Sequence, residues 1–523
     1  MEPYLRNTIG DLIRRSARRF PARTALTFGE RSWTYGELDA AAARVATGLR
    51  GLGLEPGDRV AAYGKNSDAY LLLFLGCARA GMVHVPINFG LAGDELAYIV
   101  EQSGSRALFF DPSLEDRVGA IRGRVGDVTL GTLRDGTGPH DALAWAATGS
   151  AEGGAAGDGE EEGTGPIDAD LVQLLYTSGT TSAPKGAMLT HRALVHEYVS
   201  CIQALDLSGA DRPLHALPLY HSAQMHVFLM PYLALGASNV VLEEPNPGAV
   251  LEHVERLRID SFFAPPTFWI GLRSHPDFAA RDLSSLRKAY YGASIMPVPV
   301  LQDLRAQLPG IGFYNCFGQS EIGPLATVLR PEDHDERPDS AGRPVLFVEA
   351  RVVDEDMRDV PPGQMGEVVY RSPQLCLGYW QKPEETAEAF EGGWFHSGDL
   401  VVADEQGYLR VVDRKKDVIN TGGVLVSSRE VEEALYTHPA VKEVAVIALP
   451  DPRWIEAVTA VVVRREGALA TEDELMAHVR GHLAAFKTPK RVLFVDDLPR
   501  NASGKLLKRV LRDDLGPNLS REP

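Results

Sequence analysis

Apolar residues recur at helical spacing close to the start of the chain. They share one face of a predicted helix, and they are Ile9, Leu12, Ile13, Ala17 and Phe20. The other face carries four arginines, which are Arg14, Arg15, Arg18 and Arg19. A basic amphipathic helix can bind a membrane surface, or it can pack on its own domain. We favour packing, because the chain as a whole is acidic.

Helical and strand patterns alternate after this first helix. Thr34 and Glu37 have the spacing of a capping box and predict the start of a helix that runs through Leu49. Residues 59–64 (RVAAYG) have the pattern of a buried strand, and a helix through 71–81 and a strand over 83–88 follow. This alternation predicts an α/β fold, in which helices cover a sheet that contains parallel strands.

The pattern changes twice toward the C-terminus. Residues 149–165 contain no large apolar side chain and predict a solvated surface loop. Short strand-like segments with Gly and Pro between them run from Val368 to Val412. After 413–417 (DRKKD) a new set of elements begins: a helix at 429–439, strands at 441–449 and 457–464, a helix near 472–485 and a strand at 491–499. This set is sufficient for a small α+β domain of about a hundred residues.

Composition narrows the possible functions and the compartment. The 53 Lys and Arg residues against 71 Asp and Glu give a net charge of −18, which argues against general nucleic-acid binding and against attraction to anionic membranes. The four cysteines lie far apart without metal-ligand spacing: Cys77, Cys201, Cys316 and Cys376. We expect them to be buried in a cytoplasmic protein. The first twenty residues contain no secretion signal, and the longest apolar run is far shorter than the roughly 20 residues of a membrane helix.

A turn rich in Gly, Ser and Thr follows a strand-like stretch in YTSGTTSAPKG (176–186). Backbone N–H groups of such a turn can converge on phosphate oxygens, and Lys185 supplies positive charge. The phosphate loop of kinases and GTPases requires Gly immediately before Lys. Here Pro184 precedes Lys185 and Gly186 follows it, so the sequence excludes that loop.

Several motifs together resemble the adenylate-forming superfamily of acyl-CoA synthetases, luciferases and peptide-synthetase adenylation domains. The first is YTSGTTSAPKGAMLTHRAL (176–194), and the others follow in the order of the family: FGQSEIG (317–323), GEVVYRSPQLCLGYW (366–380), GGWFHSGDL (392–400), DRKKDVINTGG (413–423) and PRNASGKLLKR (499–509). The resemblance implies a large N-terminal domain of layered sheets with covering helices, residues 1–413. It also implies a small mobile α+β C-terminal domain, residues 414–523.

The resemblance implies a reaction in two steps. The carboxylate of an acid attacks the α-phosphorus of ATP and expels pyrophosphate, and a thiol such as that of coenzyme A then displaces AMP from the bound acyl-AMP. Charge develops on the phosphate oxygens, so electrostatic stabilisation dominates catalysis. The residues implied to hold the β- and γ-phosphates are Thr177, Ser178, Gly179, Thr180, Thr181 and Lys185. Glu321 is implied to bind Mg²⁺, and Lys505 to contact the α-phosphate during the first step.

The remaining implied site residues contact the nucleoside, the acyl group or the thiol. Ser320 contacts the α-phosphate, and Asp399 accepts hydrogen bonds from the ribose with Arg414 assisting. Tyr314 and the stretch Gly292, Ala293 and Ser294 lie against adenine and the acyl carbonyl end. Lys416 is the hinge about which the small domain rotates between the two steps, and Gly422 and Gly423 line the path of the pantetheine arm. Ser428 stands where the family usually has a proline, and a serine there can cap the following helix.

His221 matches a family histidine at the acyl end of the site. Relatives that activate amino acids carry an aspartate there for the substrate ammonium, so amino acids are unlikely substrates. The sequence therefore predicts an ATP-dependent acid:CoA ligase for a hydrophobic acid, with a medium or long fatty acid placed first. An aryl acid is the nearest alternative, and transfer to a carrier-protein thiol is a second. A catalytically silent nucleotide-binding protein is disfavoured, because Glu321, Asp399, Arg414 and Lys505 are all present.

Overall fold

The computed structural model describes residues 5–136, 138–147, 165–177, 183–294, 296–422, 424–451, 453–500 and 506–519. Its helices are α1 (Ile9–Arg19), α2 (Tyr35–Gly51), α3 (Asp68–Ala80), α4 (Gly93–Ser103), α5 (Glu115–Ile121), α6 (Ala142–Ala147), α7 (His191–Ala204), α8 (Met230–Leu235), α9 (Pro247–Leu257), α10 (Pro266–Arg273), α11 (Val298–Gln307), α12 (Pro383–Ala389), α13 (Ser428–Tyr436), α14 (Glu472–His482) and α15 (Lys508–Leu519). Residues 149–164 of the predicted surface loop 149–165 therefore lie outside the described residues, and of this loop only Gly165 is described.

The large domain contains three sheets. The first has nine strands in the order β15-β14-β13-β12-β11-β9-β10-β1-β2, which are β15 (Arg343–Pro344), β14 (Leu325–Leu329), β13 (Gly312–Gly318), β12 (Lys288–Gly292), β11 (Ser261–Ala264), β9 (Pro213–His215), β10 (Asn239–Val241), β1 (Thr24–Phe28) and β2 (Arg31–Thr34). The second has six in the order β6-β5-β3-β4-β7-β8, which are β6 (Thr129–Thr132), β5 (Ser105–Phe110), β3 (Arg59–Tyr63), β4 (Val83–Ile87), β7 (Leu171–Thr177) and β8 (Lys185–Thr190).

The third sheet and the small domain follow in the chain. The third sheet has the order β16-β17-β18-β19, which are β16 (Glu349–Val353), β17 (Met365–Arg371), β18 (Phe395–Ala403) and β19 (Leu409–Arg414). The small domain has the order β21-β20-β23-β22 with β24 beside β23, which are β21 (Val424–Val426), β20 (Ile419–Thr421), β23 (Ile455–Arg464), β22 (Val441–Asp451) and β24 (Arg491–Phe494). The sheet changes between residues 414 and 419, which accords with the predicted domain boundary; the boundary itself stays a prediction.

The predicted α/β class is confirmed by the pairing of the strands. β3 lies parallel to both β4 and β5, and helix α3 connects β3 to β4. Thr34 accepts a hydrogen bond from the N–H of Glu37, and the Glu37 side chain accepts one from the N–H of Thr34, so the predicted capping box starts α2. The core is divided between the layers, and its largest part packs α1, α2 and α3 against the six-stranded sheet.

The first helix packs on its own domain, as expected. Ile9, Ile13 and Ala17 are buried, and Arg14 contacts Asp11 at 3.0 Å. Arg19 donates to the carbonyl oxygen of Ala234 at 2.5 Å. The apolar face of the helix is therefore buried against its own domain, and Arg19 on the arginine face also contacts that domain. None of the helices in the described ranges has both the length and the apolar character of a membrane-spanning segment. The four cysteines are buried and free, as predicted.

Candidate active site

Glu321 is the point at which three distant segments of the large domain meet. It lies in a 3₁₀ turn, Ser320–Ile322, directly after β13, and its residue is 8% exposed. Thr177, the last residue of β7, donates its hydroxyl to Glu321 Oε1 at 3.1 Å. Tyr379 donates its hydroxyl to the same oxygen at 3.1 Å. Two hydrogen bonds from hydroxyls thus stabilise a carboxylate that is largely removed from water.

A main-chain hydrogen bond also joins the Glu321 turn to the segment that precedes Tyr379. The N–H of Cys376 donates to the carbonyl oxygen of Glu321 at 2.8 Å. Burial, with a smaller contribution from the Glu321 charge, raises the pKa of Tyr379 far above its ordinary value. The Tyr379 hydroxyl therefore stays protonated and acts as a donor at neutral pH. The sequence analysis did not single out Tyr379, although this residue lies inside one of the motifs that carried the resemblance.

Lys185 lies beside this cluster. It is the first residue of β8 and the cross-strand partner of Thr177. Its Nζ is 5.2 Å from the centre of the Tyr379 ring, within the range of a cation–π contact. The structure therefore brings together Thr177, Lys185 and Glu321. The predicted phosphate contacts between the two strands, Ser178, Gly179, Thr180 and Thr181, lie outside the described residues.

Ser320 and His221 meet on another side of the Glu321 turn. The Ser320 hydroxyl lies 3.0 Å from the hydroxyl of Ser222, which follows His221. His221 Nδ1 accepts the N–H of Ala223 at 3.2 Å. A π-helix, Ala223–Leu229, begins at this point, and such segments frequently occur at functional sites. The structure thus places His221 one residue from a side chain that contacts the turn of the predicted metal ligand.

Asn66 holds the segment before His221 in place. This buried side chain donates to the carbonyl oxygens of Leu217 at 2.8 Å and Leu242 at 2.9 Å, and it accepts the N–H of Leu219 at 2.7 Å. Asn66 follows β3 of the six-stranded sheet, whereas Leu217 follows β9 of the nine-stranded sheet. One amide therefore connects the two sheets at the level of the site.

Asp399 and Arg414 form a pair at the end of the third sheet. They are cross-strand partners on β18 and β19, and Arg414 Nε lies 3.1 Å from Asp399 Oδ1. The Asp399 charge is the largest influence that raises the pKa of Arg414, and Glu321 contributes to the same shift. Glu321 is therefore near enough to Arg414 for their charges to interact, and the ribose contact of the pair stays a prediction.

Gly292, Ala293 and Ser294 lie at the carboxyl end of β12, beside the strand that leads to Glu321. A Cβ atom at Gly292 would lie 2.2 Å from the carbonyl oxygen of Cys316, so only glycine permits this close pairing of β12 with β13. Ala293 has φ = 63°, a left-handed conformation that is strained for a residue with a side chain. Ala293 and Ser294 are both exposed. Their position accords with a role at the rim of the site.

The structure does not bring Tyr314 to this rim, which corrects the expectation that it lies against adenine. Tyr314 is buried, its hydroxyl donates to Asp206 at 2.9 Å, and its ring centre is 5.1 Å from that of Tyr290. Side chains alternate between the faces of a strand, and the sequence motif does not state which face meets the ligand. Phe317, which is half-buried at the end of β13, is the aromatic residue closer to the Glu321 turn.

The hinge and thiol-binding residues belong to the small domain or its junction. Lys416 is exposed in the turn between β19 and β20, and partial loss of hydration, followed by the Arg414 charge, lowers its pKa to about 8. Gly422 has φ = 66° and donates its N–H to the carbonyl oxygen of Trp454 at 2.6 Å. Gly423 and Lys505 lie outside the described residues, so the roles predicted for them stay predictions.

A buried polar network contacts the segment that directly follows the Glu321 turn. Glu197 of α7 is fully buried and accepts the N–H of Leu325 at 2.9 Å and an N–H of Gln374. Gln374 also accepts the hydroxyl of Ser200 at 2.6 Å. Gly323 leaves space for the carboxylate, since a Cβ there would lie 2.9 Å from Glu197 Oε2. No sequence signal pointed to Glu197, because a helix pattern does not distinguish a buried acid from a surface one.

Comparison with known proteins decides the family. A family model described as AMP-binding enzyme matches residues 13–380, and the model of the AMP-binding enzyme C-terminal domain matches residues 430–505. The chain belongs to the AMP-binding enzyme family. It is an acid–thiol ligase that forms an acyl-adenylate intermediate and uses ATP and CoA. The resemblance to the adenylate-forming superfamily is thereby confirmed.

Three relatives illustrate the range of the similarity. A feruloyl-CoA synthase of Amycolatopsis sp is 40% identical over 503 residues, which cover 96% of this chain and 98% of the relative. A long-chain-fatty-acid–CoA ligase of Escherichia coli O6:H1 is 33% identical over 548 residues, 98% and 96% of the two chains. The crystal structure of ATP-bound MatB from Rhodopseudomonas palustris has a TM-score of 0.87 and 33% identity, and it covers 97% of this chain and 99% of that protein.

The Tyr379 hydroxyl is expected to contribute to adenylation through its bond to Glu321. The variant Tyr379→Phe keeps the ring beside Lys185 but leaves one donor fewer on the carboxylate. We expect the acid-dependent exchange of labelled pyrophosphate into ATP to fall about tenfold, as for loss of a hydrogen bond to a charged group. The matched control is Tyr314→Phe, which also removes a tyrosine hydroxyl and should leave the exchange rate unchanged. An equal loss in both variants would contradict the described site.

Glu197 makes the stability of the enzyme depend on pH. Burial raises the pKa of Glu197 to about 8, above its ordinary value of 4.5. The folded state therefore binds this proton more tightly than the unfolded state, so the stabilising contribution of the protonated side chain is complete below about pH 4.5 and is lost as the pH rises through about 8.

In the variant Glu197→Gln this pH-dependent loss of stability should be absent. The free energy of unfolding, measured by urea titration between pH 5 and 9, should fall more steeply in the wild type than in the variant. Glu349→Gln at an exposed site is the control and should follow the wild type. Parallel curves for wild type and Glu197→Gln would refute this expectation.

Proposed function

We propose that the enzyme converts an aromatic acid of the hydroxycinnamate type to its CoA thioester. The observation that carries this proposal is the greater identity to a feruloyl-CoA synthase, 40% against 33% for the fatty-acid ligase, across nearly the whole chain. This reverses the order of substrates that the sequence analysis gave, in which a medium or long fatty acid came first. The fatty acid becomes the alternative.

The apolar side chains that follow His221 in the sequence are tightly packed. They are at most 3% exposed and belong to three core clusters, which contain Met230, then Phe228 and Phe263, then Phe262 and Trp269. Phe228 and Phe263 stack with ring centres 4.5 Å apart. A long acyl chain that reached these side chains would have to displace part of a packed core, and displacing well-packed side chains is costly. A flat aromatic acid requires less space.

In the first half-reaction Lys185, with Ser178, Gly179, Thr180 and Thr181, would bind the β- and γ-phosphates. Glu321 would hold Mg²⁺, because Mg²⁺ is usually bound by one or two carboxylates together with phosphate oxygens, and Glu321 is a buried carboxylate among hydroxyl groups. The ion would neutralise charge on the pyrophosphate as it leaves. Asp399 would accept hydrogen bonds from the ribose hydroxyls, with Arg414 paired to that carboxylate. Lys505 would contact the α-phosphate.

In the second half-reaction the small domain would turn about Lys416. The thiol of CoA would then reach the acyl carbonyl along Gly422 and Gly423, and AMP would leave. His221 and Ser222 lie at the side of the Glu321 turn that faces the acyl group in this assignment. A carrier-protein thiol in place of CoA is the second alternative, and the dependence of AMP release on free CoA distinguishes the two.

A panel of acids tests the substrate class. Purified enzyme with ATP, Mg²⁺ and CoA is given ferulate, 4-coumarate, benzoate, octanoate or palmitate, and the thioester is measured by chromatography. We expect kcat/KM for the two hydroxycinnamates to exceed that for palmitate at least about 100-fold, the discrimination that about 3 kcal/mol of transition-state binding provides. Preference for octanoate or palmitate would overturn the proposal and restore the fatty acid.

A further inference from the structure

Side-chain contacts, in addition to the covalent chain at the predicted hinge, connect the two domains. β19, the last strand of the large domain, ends at Arg414, and Lys416 lies in the turn that follows. The side chain of Asp413, on β19, contacts the start of α13 in the small domain. Asp413 is 6% exposed and Ser428 is fully buried. These contacts cross the predicted hinge, so they are made between parts that rotate relative to each other in the proposed reaction.

Ser428 makes two of these contacts to one oxygen. Its backbone N–H donates to Asp413 Oδ2 at 2.7 Å, and its hydroxyl donates to the same atom at 2.8 Å. Hydrogen bonds to an ionised carboxylate are stronger than those between neutral groups. The position of Ser428 at the start of a helix adds to the attraction, because the helix N-terminus carries partial positive charge.

Lys508 extends the connection to the segment that carries Lys505. Lys508 Nζ donates to the Ser428 hydroxyl oxygen at 2.6 Å and lies 2.8 Å from Glu432 Oε1. It is the first residue of α15, three positions after Lys505. The Ser428 hydroxyl therefore accepts from the helix that follows the Lys505 segment and donates to the last strand of the large domain.

The exposure of Gly422, Val424 and Leu425 indicates which of the two half-reactions the described orientation of the domains corresponds to. Gly422 is exposed, Val424 is 45% exposed and Leu425 is 59% exposed. Residues that line the path of a pantetheine arm would be covered by the large domain. The described orientation is therefore not the one for thioester formation, and it fits adenylation.

We propose that Ser428 is a positioning residue that holds the small domain in the adenylation orientation through its two bonds to Asp413. Through Lys508 it also contacts α15, the helix that follows Lys505 in the sequence. This inference rests on the proposed two-step function. When the bonds to Asp413 are removed, the balance between the two orientations shifts away from adenylation and toward thioester formation.

Substitution of Ser428 by proline tests the hydrogen bonds to Asp413 without disrupting helix α13. Ser428 is the first residue of α13, and proline is well tolerated at the first position of a helix because no intrahelical partner exists for the N–H there. Ser427 before it has φ = −68° and ψ = 123°, which a following proline allows. Ser428→Pro removes the two Ser428 donors to Asp413 and leaves the start of the helix intact, whereas the longer contact of the Ser427 hydroxyl to the same oxygen, 3.3 Å, remains.

The experiment measures the two half-reactions separately. Adenylation is followed by pyrophosphate exchange, and thioester formation is followed from supplied acyl-AMP and CoA. We expect Ser428→Pro to lower the ratio of the adenylation rate to the thioester-forming rate about tenfold. Ser428→Thr keeps both donors and should restore the ratio. Glu472→Pro places a proline at the first position of α14, where the residue is exposed, and should leave the ratio unchanged.

A change in stability alone would not reproduce this result, because it would lower both half-reactions together. An unchanged ratio in Ser428→Pro, or an equal loss of both steps, would overturn the inference. If Ser428→Pro does not fold, as judged by its thermal unfolding, Asp413→Asn decides the question, since it weakens the same bonds from the other side and should shift the ratio in the same direction. Failure of the wild type in both half-reactions with every acid would instead refute the proposed function.

Discussion

The structure depends on keeping one buried carboxylate, Glu321, in a defined position. A carboxylate removed from water is costly unless hydrogen bonds compensate it, and here the donors come from elements more than fifty residues away in sequence on either side. Thr177 ends a strand of the six-stranded sheet, and Glu321 follows a strand of the nine-stranded sheet. The two sheets must therefore be correctly packed before the site exists. Asn66 follows a strand of the six-stranded sheet and bonds backbone groups that follow a strand of the nine-stranded sheet, so it contributes to that packing.

The chemistry proposed for the enzyme requires this arrangement. An acid attacking ATP develops negative charge on phosphate oxygens, and fixed positive groups and hydroxyl donors stabilise that charge without reorganising. Lys185 and Arg414 supply positive charge from two different sheets. The Glu321 charge contributes to the raised pKa of both Tyr379 and Arg414. The thiol step needs a different approach to the same acyl group. In our proposal, the hydrogen bonds of Ser428 to Asp413 favour the orientation for the first step without changing the nucleotide site.

The sequence predicted the fold class and the family because both depend on local patterns. The capping box at Thr34, the parallel strands β3 and β4, and the burial of α1 follow from periodicity and short-range spacing. Contacts between distant residues were not predictable in this way. Tyr314 was assigned to adenine, yet its side chain lies on the core side of β13. Glu197 and Tyr379 escaped notice because their importance comes from partners more than fifty residues distant. The proposed substrate class rests on comparison with relatives rather than on the motifs, which are common to the whole family.

The central claim is that Glu321 is the carboxylate on which adenylation depends. Its most direct test is the exchange of labelled pyrophosphate into ATP by the wild type and by Glu321→Gln, which preserves the shape of the side chain but removes its charge. The account predicts exchange that requires both Mg²⁺ and added acid in the wild type, and a loss of at least about 100-fold in the variant at unchanged thermal stability. Exchange at the wild-type rate in Glu321→Gln would contradict it.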